Sequence, residues 1–115
     1  MLLDADRTRI LHMIEATREA LDYAQGRDLA GAEADRPFQR LLVWNIMILG
    51  EAAARVSTTL REAHPEIPWR TIIDTRNRLI HAYFEVNLAV IWSTVNDDLP
   101  NLVPQLEAIL ESNRL

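Results

Sequence analysis

Leu41-Leu42-Val43-Trp44-Asn45-Ile46-Met47-Ile48-Leu49-Gly50 is the stretch on which the fold turns. Wound into a helix, it is apolar on nearly every side, with Asn45 as its polar interruption. Such a helix has to bury more than one side. In a chain of 115 residues, either a central place in a bundle or a contact between subunits meets that demand. Gly50 costs about 1 kcal/mol relative to alanine inside a helix, so the close approach of another backbone is the expected reason for it. The run is too short to span a bilayer. The helix around it is expected over Phe38 to about Leu60.

Moving toward the N-terminus, Gly26 to Pro37 holds two glycines, a proline and five charges and reads as a loop or a poorly ordered link. Before it, Asp4 to Gln25 is an amphipathic helix. Ile10, Ile14, Thr17, Leu21 and Ala24 share one side, and Arg7, Arg18, Glu19 and Asp22 cover the other. Gly26 sits where a C′ glycine would end it. His12 falls on this helix at a surface or core-edge position.

Toward the C-terminus, His64-Pro65-Glu66-Ile67-Pro68 interrupts the helical pattern. Pro68 suits the first turn of a further helix, which is expected to run to about Phe84. Asn87 is a suitable N-cap for a last segment carrying Leu88, Ile91, Trp92, Val95 and Leu99. The pattern continues through Leu102, Leu106, Ile109 and Leu110. Pro100 lies inside it and should kink or restart the helix. With no strand signal and no repeat, the expected fold is all-α. It is an antiparallel bundle of four long helices plus short helical pieces, forming one domain over residues 1–115.

Composition bounds the chemistry. Apolar residues make up 49% and charged residues 25% of the chain, ordinary for a globular domain. There is no cysteine, hence no disulfide or thiolate metal site. The first residues lack the basic and apolar regions of a signal peptide, and a cytoplasmic, membrane-free location is expected. The net charge of −5 opposes general nucleic-acid binding. The balance is uneven, however. Residues 1–36 sum to −3 (five Arg, eight acids), 37–84 to +2 (six Arg, four acids) and 85–115 to −4 (one Arg, five acids). All twelve cationic residues are arginine, which suits bidentate phosphate contacts but also follows from a base-composition bias.

The relatively basic middle contains Arg76-Asn77-Arg78-Leu79-Ile80-His81-Ala82-Tyr83. At ~100° per residue, Trp69, Ile73, Arg76, Ile80 and Tyr83 form an apolar stripe with an arginine in its middle. Arg70, Asp74, Asn77 and His81 run beside it as a polar stripe. An arginine at core spacing is costly unless it is paired or faces a partner. Arg76 and His81 point ~140° apart on a straight helix. For both to act on one phosphate, either the helix deforms near His81 or two chains share a cleft. His12, His64 and His81 show no ligand spacing and no His-Glu-x-x-His occurs, so no metal site or cofactor is expected. A glycine-rich phosphate loop and a serine nucleophile elbow are missing as well.

Arg76, His81 and Tyr83 together resemble the Arg-x4-His-x-Tyr motif of the HEPN superfamily. The resemblance is nearest to its HepT-like ribonuclease toxins, which are encoded beside a minimal nucleotidyltransferase antitoxin. It extends to Ile48-Leu49-Gly50-Glu51-Ala52-Ala53, to His64 through Arg70, and to Trp92 through Pro100. It implies a HEPN-like bundle that forms a homodimer, with a composite active site at the interface. It further implies metal-independent cleavage of RNA, whether tRNA or mRNA, with Arg76 and His81 as catalytic residues. Asn77, Arg78 and Glu51 would support them. Tyr83 would accept AMP from the nucleotidyltransferase and so silence the site.

The residue chemistry accords with that assignment. Cleavage needs a base for the ribose 2′-OH, stabilisation of the crowded phosphate and an acid for the leaving oxygen. Histidine fills either proton role, arginine presents fixed charge and a fork of donors, and Asn77 could orient the imidazole or bind phosphate. Two other readings stay open. One is a non-catalytic helical module that binds and regulates a nucleotidyltransferase partner. The other is nucleotide binding without cleavage. Glu51 equally suits a plain structural pair with a neighbouring arginine, and Tyr83 a core aromatic.

Overall fold

The computed structural model describes residues 2–82 and 87–113. Their elements are α1 (Asp4–Ala24), α2 (Leu29–Glu33), α3 (Arg36–Arg55), α4 (Thr58–Ala63), α5 (Trp69–Ala82), α6 (Leu88–Ser93), a π-helical turn (Thr94–Asp98) and α7 (Leu99–Ser112). Four of the helices are long and no strand occurs among the described residues, as expected for an all-α, HEPN-like bundle.

The central place read from Leu41–Gly50 belongs to α3, which packs against α1 and against α5. Phe38, Leu42, Ile46, Leu49 and Ala53 of α3 are all buried. They meet a core that includes Ile10, Met13 and Ala20 of α1 and Leu79 of α5. α1 also packs on α7, where Leu102, Leu106 and Ile109 complete the interior. Asn45, buried within the apolar run, donates from Nδ2 to its own helix at Leu41 O, 3.0 Å away. That bond satisfies its donor locally, at no cost to the packing around it.

Gly26 ends α1 as expected, with a φ of 78° that favours glycine. The segment after it is more ordered than a loop. Asp28 accepts from Gly31 N at 2.8 Å and caps the five-residue α2. Asp35 accepts from Phe38 N at 3.1 Å and starts α3 at Arg36. Arg27 closes the turn, bonding Asp35 at 3.0 Å and lying 4.0 Å above the Phe38 ring. Phe38 in turn meets Trp92 edge-on. Asp28 and Asp35 thus cap α2 and α3 in turn, signals too brief for periodicity to reveal.

The helix expected over 38–60 stops earlier, at Arg55. Its end is set by Asp6 of α1, which bonds Ser57 across fifty-one positions. Asp6 is 4% exposed and accepts from Ser57 N at 2.8 Å and Ser57 Oγ at 2.6 Å. Ser57 Oγ in turn accepts from Leu60 N and caps α4. Because the first turn of α1 thus meets the end of α3, the two helices are antiparallel.

Pro68 precedes α5 directly, and Trp69 fastens the preceding turn by donating from its indole N–H to His64 O at 2.9 Å. Asn87 caps α6 by accepting from Ala89 N at 2.8 Å. The interruption expected at Pro100 takes the form of a widened turn before it: Leu99 N bonds Thr94 O, and α7 begins at Leu99 with Pro100 in its first turn. Proline lacks the N–H that a regular helix would donate at that point. No helix is long and apolar enough to cross a membrane among the described residues.

Candidate active site at the α3–α5 junction

The face that α5 turns inward differs from the expected stripe. Trp69, Ile72 and Leu79 are buried, whereas Ile73 is half-buried and Ile80 is 44% exposed. Ile72/Ile73 and Leu79/Ile80 are adjacent apolar pairs, so periodicity alone fits either row. The neighbouring α3 decides between them. Arg76 belongs to both rows, and its placement is therefore unaffected by the correction.

Gly50 makes that placement possible. A Cβ on Gly50 would lie 2.1 Å from Arg76 Cβ, 2.8 Å from its Cγ and 3.1 Å from Ile72 O. The close approach inferred from a glycine inside an apolar helix is thus α5 itself, with the arginine stem crossing α3 at the glycine. One residue further along α3, Glu51 receives the guanidinium: Arg76 Nη2 donates to Glu51 Oε2. Arg76 Nη1 donates to Asn77 Oδ1 at 2.7 Å. The dipeptide Gly50-Glu51 therefore passes the stem and holds the head.

The electrostatics of the contact are one-sided. The hydrogen bond from Arg76 holds the Glu51 carboxyl below the usual carboxylate range, against the opposing pull of partial desolvation. Arg55, one turn on, adds a second pair to Glu51 at 3.1 Å. The Arg76 side chain is 26% exposed, and its Nε is buried without a hydrogen-bond partner among the described residues. Guanidinium carries five N–H donors. Glu51 and Asn77 each take one, so N–H groups on both terminal nitrogens stay available to an anion.

Glu51, Arg76 and Asn77 are thus brought together. The partner that Asn77 engages is Arg76, to whose guanidinium its carbonyl oxygen is bonded. His81 is exposed near the end of α5, and Arg78 is exposed as well. α5 is regular α-helix from Trp69 to Ala82, so Arg76 and His81 project ~140° apart and no local deformation turns them onto one phosphate. Tyr83, the expected AMP acceptor, lies outside the described residues, as does the expected helix end at Phe84. No group of three or more His, Cys, Asp or Glu residues able to hold a metal occurs among the described residues.

A cleft of about 380 Å³ opens on another side of the same junction. Ile46, Leu49 and Ile72 contribute its apolar wall, and Glu66, Asp97 and Asp98 are its charged residues. A wholly acidic set repels phosphate, so this cleft is not where an RNA backbone would lie. Sequence reading missed both the π-helical turn that brings Asp97 and Asp98 to this cleft and the Asn77–Arg76 bond. Neither leaves a periodic signal.

Comparison with known proteins bears on residues 13–109, which match a family model described as ribonuclease HepT-like. A probable ribonuclease HepT of Thermococcus cleftensis is 39% identical over 75 residues, 65% of this chain and 68% of that protein. A putative RNase of Caldanaerobacter subterraneus subsp. tengcongensis is 30% identical over 108 residues, covering 94% of this chain and 96% of the relative. A putative RNase of Methanocaldococcus jannaschii is 24% identical over 105 residues, 91% of this chain and 87% of its own. No solved structure matches the chain significantly.

Proposed function

The chain belongs to the HepT-like ribonuclease family, and from that premise we propose that it is a metal-independent RNA endonuclease, the toxin of a toxin–antitoxin pair. The observation that carries the reading is the state of Arg76. It is fixed at a helix crossing by Glu51 and Asn77, about a quarter exposed to solvent, with donors to spare.

In this reading Arg76 stabilises the charge that builds on the phosphate as the ribose 2′-OH attacks it. His81 serves as a proton donor or acceptor at the attacking or leaving oxygen. Asn77 and Glu51 keep the guanidinium in one orientation, and Arg78 lends positive charge nearby. The straight helix separates Arg76 from His81, which supports a homodimer in which two chains line one cleft. The half-buried Ile73 and exposed Ile80 of α5 are apolar surface suited to such a contact. AMP transferred to Tyr83 by a nucleotidyltransferase antitoxin would add negative charge near the motif and exclude RNA.

The test is cleavage of tRNA and mRNA by purified protein in EDTA, beside Arg76→Ala and His81→Ala. Intact-mass measurement establishes that the protein carries no AMP. Cleavage by the unmodified protein, reduced at least about 100-fold in each variant, is expected. An unmodified dimer that cuts neither RNA would overturn the proposal in favour of a helical module that binds and regulates a nucleotidyltransferase.

A further inference from the structure

Trp44 is 61% exposed in the middle of the apolar run Leu41–Gly50 of α3. With α1 and α5 covering two sides of α3, it stands on the third. Arg36, Arg40, Trp44, Glu51 and Arg55 fall within a sector about 100° wide, and all five are exposed or half-exposed. Arg36 and Arg40 make no hydrogen bond or ion pair among the described residues. α3 carries three arginines against one acid, a sum of +2, whereas α1 carries three arginines against five acids, a sum of −2. In a chain of net charge −5, this face is a local reversal of sign. The same face receives the head of Arg76 at Glu51, about 10 Å along the helix from Trp44.

From this we infer that the exposed face of α3 is the substrate track of the proposed ribonuclease site. Single-stranded RNA stacks an unpaired base on Trp44 and lays its phosphates along Arg36 and Arg40 on the way to Arg76. Stacking on an exposed aromatic, flanked by cations that follow the backbone, is the general physics of single-strand binding. It also answers the objection raised by the overall acidity, because substrate meets only the basic face. A second copy of this chain is the less favoured occupant. A two-fold contact sets a face against its own copy, which here would bring arginines against arginines. The inference rests on the ribonuclease reading but concerns binding, which is measured separately from cleavage.

The experiment uses full-length protein carrying His81→Ala, so that RNA survives the assay, and a fluorescent unstructured RNA of about fifteen nucleotides. Affinity is read by anisotropy, and assembly state by sedimentation. Trp44→Ala is expected to weaken binding about tenfold or more and Trp44→Phe much less, as for one stacked base. Assembly state should not change, and duplex RNA should bind more weakly than the single strand. Arg36→Gln with Arg40→Gln should lower the slope of log affinity against log salt by roughly 1.4, the amount for two single-strand phosphates.

Affinity within twofold of the parent after Trp44→Ala would overturn the inference, as would equal binding of duplex RNA. A change of assembly state in Trp44→Ala would also overturn it and assign the face to a contact between copies. If the wild-type protein cleaves RNA while Trp44→Ala binds normally, the track is wrong and the ribonuclease reading stands. If the parent does not bind RNA and the wild-type protein does not cleave it, both fall.

Discussion

Two charged side chains reach the C-terminal end of α3 from opposite neighbours, and they finish in opposite states. Asp6 comes from α1, is 4% exposed, and has both oxygens bonded by Ser57. Arg76 comes from α5, remains 26% exposed, and leaves its Nε without a partner. The first contact is closed: every group it buries is satisfied, and its product is a helix boundary. The second is open: Glu51 and Asn77 take one donor each, and the rest of the guanidinium has no partner among the described residues. A charge spent on architecture and one proposed for chemistry differ here in how many of their bonds the fold completes.

The sharpest way to break that comparison is to delete both groups in turn. Arg76→Ala is expected to cost at least about 100-fold in RNA cleavage, with little change in thermal midpoint. Asp6→Ala should do the reverse. Removing a charged acceptor that holds a backbone N–H and a cap costs about 2–3 kcal/mol, seen as a lower denaturant midpoint with cleavage per folded molecule retained. A loss of stability in the first variant comparable to that in the second would erase the distinction.

Gly50→Ala probes the crossing that connects the two properties. Alanine is favoured over glycine in a helix by about 1 kcal/mol, but its Cβ would stand 2.1 Å from that of Arg76. No side-chain rotation relieves a clash between two Cβ atoms, so α5 must shift. The expected result is a net destabilisation of roughly 1–3 kcal/mol together with reduced cleavage. A stabilised variant with full activity would show that the two helices are not in such close contact.

Glu51→Gln is the mildest change. It keeps a hydrogen-bond acceptor for Arg76 and removes the charge. Cleavage should fall only severalfold, with the phosphate optimum retained by Arg76 itself. The pH dependence is fixed by the direction of the shift. A carboxylate whose folded-state pKa is depressed adds stability above its unfolded pKa, and that stability disappears as the pH falls through the lower folded value. The Glu51–Arg76 tie, depressed by the arginine hydrogen bond, should therefore persist through mildly acidic conditions and be lost below the usual carboxylate range. Because Glu51 is 41% exposed, solvent screening keeps the effect small. Acid unfolding curves of wild type and Glu51→Gln, compared over that window, measure it.

Much of this was legible without coordinates because its causes are local. Gly26 ends α1 and Asn87 starts α6 through residues that act on their own backbone. The wide apolar surface of Leu41–Gly50 called for either a central helix or a subunit contact, and α3 takes the central place between α1 and α5. Gly50 announced a close neighbour, and Arg76 among large apolar residues announced a partner. The motif order from Arg76 to Tyr83 placed the chain within its family.

The remainder depended on what α3 meets in space. The choice of Ile72 and Leu79 over Ile73 and Ile80 as the buried row lies beyond any single-helix pattern, because adjacent rows have nearly the same period and only a neighbouring surface separates them. The stop at Arg55 is imposed by Asp6 from another helix. Trp44 sits in an apolar run that marks it for burial, yet the elements packed on α3, chiefly α1 and α5, leave it in solvent. Sequence determined where the long helices run, since that follows from short-range preferences, and it singled out the candidate residues for the proposed chemistry. Tertiary structure alone decided which faces are covered, because burial is a property of pairs of surfaces and not of either one.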